Sequence, residues 1–138
     1  MEELYVTEVM TKNVTACAPD TPIKDVIKIL SRNRISSLII TENNEPVGII
    51  TERDLVAIMD EMLNHEALNH LPIVNFMTSP ALTVHGYNTF EEAVKFAINK
   101  NIRHLPVVDQ NNKLIGLLTQ TNMVRSLSYI TYTLSKKS

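Results

Sequence analysis

The chain of 138 residues repeats itself once, and this duplication limits its fold more than any other feature. Met10-Thr11 returns as Met77-Thr78, Asn43-Asn44 as Asn111-Asn112, and Gly48-Ile49-Ile50-Thr51 as Gly116-Leu117-Leu118-Thr119. The offset is 67 residues at the Met-Thr pairs and 68 at the later ones. We take it as 68 from position 21 onward, which places the one extra residue between the Met-Thr pair and the first long helix. The chain is therefore read as two copies of one unit, residues 6–60 and 74–130, with a connector at Leu71-Pro72-Ile73. Two copies are too few for a solenoid. A unit of about 55–60 residues has only a thin core of its own, so the copies are expected to pack as a pseudo-twofold pair.

Periodicity gives the elements of one unit. Val14–Cys17 reads as a short strand, and Thr21-Pro22 as an N-cap followed by proline at the first helical position. Ile23, Val26, Ile27 and Leu30 then share one helix face. Leu38–Ile40 and Pro46–Thr51 form a hairpin around Asn43-Asn44, and Thr51 caps a helix from Glu52. In the second copy Val84 lies on the first strand, and Thr89-x-x-Glu92 is a capping box. It opens a helix with Phe90, Ala93, Val94, Ala97 and Ile98 inward. Leu105–Val108 and Leu114–Thr119 make the second hairpin, followed by a helix from Gln120. The expected fold class is α/β (α+β), two βαββα units.

Composition removes several functions. The 3 glycines, Gly48, Gly86 and Gly116, are too dispersed for a Walker loop or a GxGxxG fingerprint. The single cysteine, Cys17, leaves no intrachain disulfide. No apolar run reaches the roughly 18 residues of a membrane span and residues 1–15 carry no secretion signal, so a cytoplasmic protein is expected. A net charge of −2 argues against a nucleic-acid partner. The charge is uneven: residues 1–70 carry 6 Lys/Arg and 12 Asp/Glu, residues 71–138 carry 7 and 3. Unlike halves of two copies could meet head to tail. His65 and His70 are five residues apart, about 140° around a helix, too far to share a metal. His85 is placed in a loop. No metal set and no nucleophile–base pair is apparent, so the chain is read as not an enzyme.

Val9-Met10-Thr11, Gly48-Ile-Ile-Thr-Glu-Arg-Asp54, Ile102-Arg-His-Leu-Pro-Val-Val-Asp109 and Gly116-Leu-Leu-Thr119 occur in an order and spacing that resemble a pair of cystathionine-β-synthase (CBS) domains, a stand-alone Bateman module. The resemblance covers nearly the whole chain. It implies two βαββα units packed through their sheets, with two clefts between them. It also implies a homodimer and a sensing rather than a catalytic role, with an unidentified protein partner reading the change. The implied ligand is an adenine nucleotide (AMP, ADP or ATP), with no obligatory cofactor.

The resemblance assigns roles to particular residues. In Gly48-x-x-Thr51-x-x-Asp54, Thr51 contacts ribose or phosphate and Asp54 accepts the ribose hydroxyls. The unpaired amides at a helix start also favour an anion. The competing structural reading is that Thr51 and Asp54 only cap the helix. The second copy, Gly116-x-x-Thr119-x-x-Asn122, has an amide where the carboxylate belongs, so this site is expected to be weaker or empty. Arg103 and His104 are the implied phosphate cations, with Ile35 and Ser36 taken as their uncharged counterparts. So few cations favour AMP or ADP over ATP. The adenine slot is expected at Thr15, Ala16 and Cys17 and at Leu82, Thr83 and Val84, with Cys17 as a small apolar wall. Gly48 and Gly116 are expected to let the ligand lie against the backbone.

Overall fold

A computed structural model describes residues 3–136. The elements in chain order are α1 (Val6–Val9), β1 (Ala16–Cys17), α2 (Ile23–Asn33), β2 (Ser37–Glu42), β3 (Glu45–Thr51) and α3 (Glu52–Asn64). Two 3-10 turns (Glu66–His70 and Ile73–Asn75) follow, then β4 (Val84–His85), α4 (Phe90–Lys100), β5 (His104–Val108), β6 (Leu114–Thr119) and α5 (Gln120–Lys136). Both repeats are thus βαββα, in a mixed α/β fold. Each has a three-stranded sheet, β1-β2-β3 or β4-β5-β6, whose first pair is parallel and whose second is an antiparallel hairpin.

The chain forms two compact units. The first unit is Thr15–Ala81, and the second joins the chain up to Val14 with everything from Leu82 on. The opening segment of each sequence repeat therefore lies on the other repeat's sheet. Thr11 exchanges backbone hydrogen bonds with Leu117 at 2.8 and 2.9 Å, and Thr78 with Ile49 at 2.9 and 3.0 Å. These bridges occupy the outer edges of β6 and β3, which would otherwise be open to foreign pairing. Val6, on the short helix α1 that periodicity did not reveal, is fully buried in the second unit's core with Leu105, Val107 and Leu118. The first unit's core holds Ile23, Val26, Leu38, Ile40, Ile50 and Ile73.

The register of the repeat differs from the expected one. Ile40 pairs with Gly48 and Val107 with Gly116, and the bulges follow Ile40 and Val107. The buried faces Ile23, Val26 and Leu30 and Phe90, Ala93 and Ala97 match at an offset of 67. The extra residue therefore enters at the second hairpin, not before the first helix. Asn43 and Asn44 form a two-residue turn with φ of 50° and 61°. The second hairpin instead wraps around the Asp109 carboxylate, which accepts from Asn111 N–H and Lys113 N–H at 2.8 and 3.0 Å. On this register Ile98 matches Ser31 rather than Leu30, and it is 74% exposed instead of facing the core.

Helix starts also differ in detail. Pro22, not Thr21, holds the N-cap position of α2, and no side chain caps that helix. Thr89 and Glu92 form the expected capping box on α4. His85 ends β4 rather than lying in a loop, and its ring stacks on Tyr87 with centroids 4.8 Å apart.

Candidate functional site

In the first unit, β3 ends at Thr51 and α3 starts at once, so the side chains of Thr51 and Asp54 meet over the first turn. The Asp54 Oδ2 atom accepts from Thr51 N–H at 3.0 Å and from the Thr51 hydroxyl at 3.2 Å. Thr51 Oγ1 in turn accepts from Asp54 N–H at 3.5 Å. This is a reciprocal capping box, so the structural reading of the motif is realised. It uses only one of the two carboxylate oxygens. Asp54 Oδ1 has no hydrogen-bond partner among the described residues and remains an acceptor. Ser36 lies beside this corner, its carbonyl accepting from Glu52 N–H at 3.0 Å.

The second unit repeats the corner with an amide. Asn122 Oδ1 accepts from Thr119 N–H at 2.8 Å, from the Thr119 hydroxyl at 2.9 Å and from the Thr11 hydroxyl at 3.3 Å. Arg103 and His104 adjoin this corner: the Arg103 carbonyl accepts from Gln120 N–H at 2.9 Å, and His104 pairs with Thr119 across the sheet. In the corrected register their counterparts in the first unit are Ser36 and the buried Ser37, not Ile35 and Ser36. The first unit's corner still has no cation at these positions.

The structure thus groups Thr51, Asp54 and Ser36 within the first unit, and Thr119, Asn122, Arg103 and His104 within the second. Of the adenine-slot residues, Thr15 and Cys17 belong to the first unit, with Cys17 on β1, while Thr83 and Val84 belong to the second, with Val84 on β4. Cys17 is half-buried. Burial raises its thiol above the ordinary value, a hydrogen bond with Thr21 opposes this, and the Asp20 charge adds to it. A thiol held protonated in this way is a weak nucleophile.

The two strand glycines serve packing, not a ligand. A Cβ on Gly48 would overlap the Met77 sulfur and stand 2.9 Å from its Cγ. A Cβ on Gly116 would overlap the Met10 sulfur and stand 3.0 Å from the Thr11 carbonyl oxygen. The Met-Thr segment that covers each sheet edge therefore requires the glycine beneath it. This also explains why Met-Thr and Gly are among the identities that repeat. Sequence reasoning missed the contact because each partner comes from the other copy.

Two βαββα units, each with a hairpin running into a capped helix, define a duplicated βαββα module. The CBS domain family model matches residues 6–61 and 73–129, and the chain belongs to the CBS domain family. It is 34% identical to "Uncharacterized protein MK0525" of Methanopyrus kandleri over 139 residues, 99% of this chain and 69% of that protein. The crystal structure of CBSX2 from Arabidopsis thaliana in complex with AMP is similar at a TM-score of 0.80 and 28% identity, over 93% of this chain and 98% of that one. The CBS domain pair of protein MJ0100, in complex with 5-methylthioadenosine and S-adenosyl-L-methionine, is similar at 0.77 and 25% identity, over 92% and 98%. Among the described residues no helix is long and apolar enough to cross a membrane.

Proposed function

We propose that this chain is a cytoplasmic regulatory module that senses an adenosine-containing molecule, AMP or ADP first, and performs no chemistry of its own. The observation that carries the reading is the spare carboxylate oxygen of Asp54 at the start of α3. An anionic acceptor already fixed by its partner oxygen suits a ribose diol, whose hydroxyls both donate. The likeness to CBS pairs whose structures hold AMP or S-adenosyl-L-methionine supports the same ligand class. Arg103 and His104 are assigned to the phosphate. With only one such pair of cations, a monophosphate or diphosphate suits the chain better than a triphosphate.

Calorimetric titration with AMP, ADP, ATP, S-adenosylmethionine and NADH tests this. At a hundredfold excess over Kd the ligand should stabilise the protein by about 2.7 kcal/mol, a shift of several degrees. Asp54→Ala should remove most of that shift, and Arg103→Ala should weaken binding of the phosphorylated ligands most. No heat and no shift with any of the five ligands would refute the reading.

A second reading, a ligand-free scaffold for a homodimer or a protein partner, is favoured by apolar side chains left in the open. On α3, Val56, Met59 and Leu63 are exposed, Leu63 by 86%; on α5, Val124 and Leu127 stand at the equivalent positions of Val56 and Met59. We assign each of these apolar helix faces to a contact with a second copy of the chain, with the acidic half of one copy facing the basic half of the other. Light scattering on the wild type and on Val56→Glu/Met59→Glu separates the readings: the variant should become monomeric, and a scaffold alone would show no response to nucleotide.

A further inference from the structure

We infer that the start of α5 is closed to a ribose diol, so that the chain takes up one adenosine ligand per polypeptide rather than one per repeat. The inference rests on the reading of Asp54 given above and concerns the other corner. A backbone N–H can only donate, so the 2.8 Å contact from Thr119 N–H fixes Asn122 with its oxygen toward the cap. That single oxygen then receives three donors: Thr119 N–H, the Thr119 hydroxyl and the Thr11 hydroxyl. A carbonyl oxygen has two lone-pair directions, so none is left for a ligand.

The other polar atom of Asn122 is Nδ2, which has no partner among the described residues and can only donate. Asp54 and Asn122 therefore offer opposite chemistry from the same place on the same fold. Asp54 offers an acceptor that matches two hydroxyl donors. Asn122 offers a donor, and any diol placed there would keep an unmatched hydroxyl hydrogen. The Thr11 hydroxyl, which comes from the segment crossing β6, closes the corner further. No corresponding bond from Thr78 reaches Asp54.

The test is a calorimetric titration of the intact protein with AMP. The wild type should bind one AMP per chain. Asn122→Asp should bind two, because it restores the two-oxygen arrangement seen at Asp54; it should fold normally, since Asp54 already makes the same cap. Asp54→Asn should weaken the wild-type site about tenfold to a hundredfold, the loss expected on removing hydrogen bonds to a charged group. Two AMP per wild-type chain, or an Asn122→Asp protein that stays at one, overturns the inference and leaves the Asp54 reading standing. Unchanged affinity in Asp54→Asn overturns that reading. No heat with either the wild type or Asn122→Asp overturns both.

Discussion

At the start of α3, Asp54 closes the helix cap with one oxygen and keeps another; at the start of α5, Asn122 closes the same cap with its only oxygen and keeps a nitrogen. The sheets beneath the two corners correspond closely. Both hairpins are bulged at matching residues, both outer strand edges are covered by a Met-Thr segment, and both strand glycines lie under a methionine. The two repeats thus share the sheet contacts under each corner and differ in the polar residue that stands on it. Packing tolerates little change because a lost methylene or an added Cβ is felt throughout a dense interior. The N3 position of a capping box needs only a side-chain oxygen that reaches back to the N-cap N–H, and Asp54 and Asn122 both supply one, so the cap does not hold that position to one chemistry.

The equivalence of the cores is tested most severely by truncation. Leu38 and Leu105 occupy the same position on β2 and β5, and both are fully buried. Leu38→Ala and Leu105→Ala should each cost about 2–5 kcal/mol, measured by urea denaturation. A large inequality between them would break the comparison at its base.

The glycines sharpen it. At Gly48 the three atoms nearest a new Cβ all belong to the flexible Met77 side chain, whereas at Gly116 they include the Thr11 carbonyl oxygen, which is held in the bridge to Leu117. Both substitutions overpack, at about 1–3 kcal/mol, and Gly116→Ala should be the more damaging. Thermal unfolding of the two variants side by side decides it; the reverse order would mean that Met77 is the less yielding neighbour.

These contacts also show where reading the sequence succeeded and where it stopped. The hairpins, the long helices and the caps at Thr51 and Thr89 follow from local signals, namely alternation, helical spacing and a hydroxyl three residues before an acid. The exchange of opening segments is non-local, and no periodicity states which copy Met10 or Met77 will cover. The misplaced register has a similar cause. The identities after the hairpin fixed the offset, while the helix faces before it share no residue types: Ile23, Val26 and Leu30 correspond to Phe90, Ala93 and Ala97. At the site, the residue pair Thr51 and Asp54 could be read in advance, but which oxygen the cap would use could not.

A smaller effect lies in the caps. Asn122→Ala removes the N3 half of the α5 capping box, the acceptor for Thr119 N–H, and should cost about 0.5–1.5 kcal/mol while leaving AMP binding unchanged. Asp54→Ala removes the same half of the α3 box, should cost about as much in stability and should abolish binding as well. Measuring thermal shifts with and without AMP on both variants separates the structural from the recognition role of the two corners. Equal loss of binding in both would erase the difference between them.

The smallest expected effect compares the first helices of the two repeats. α4 begins with the Thr89–Glu92 box, in which Glu92 Oε1 accepts from Thr89 N–H at 3.0 Å and from the Thr89 hydroxyl at 2.9 Å, whereas α2 begins at Pro22 with no side-chain cap. The bond from Thr89 N–H, joined by those from the Thr89 hydroxyl and Asn88, lowers the Glu92 carboxyl below its ordinary value. A carboxyl lowered on folding adds stability above its unfolded value, and that stability is lost as the pH falls through the folded one. Glu92→Gln keeps the reach of the side chain and can still accept at the cap, so it removes the charge alone. The wild type should therefore be the more stable protein at neutral pH, and the gap should close on acidification below the usual glutamate range of about 4.3. Amide hydrogen exchange should place the acid-induced loss in the first turn of α4 and leave the start of α2 unaffected. A gap between wild type and Glu92→Gln that stays constant with pH would show that geometry, and not charge, sets this cap.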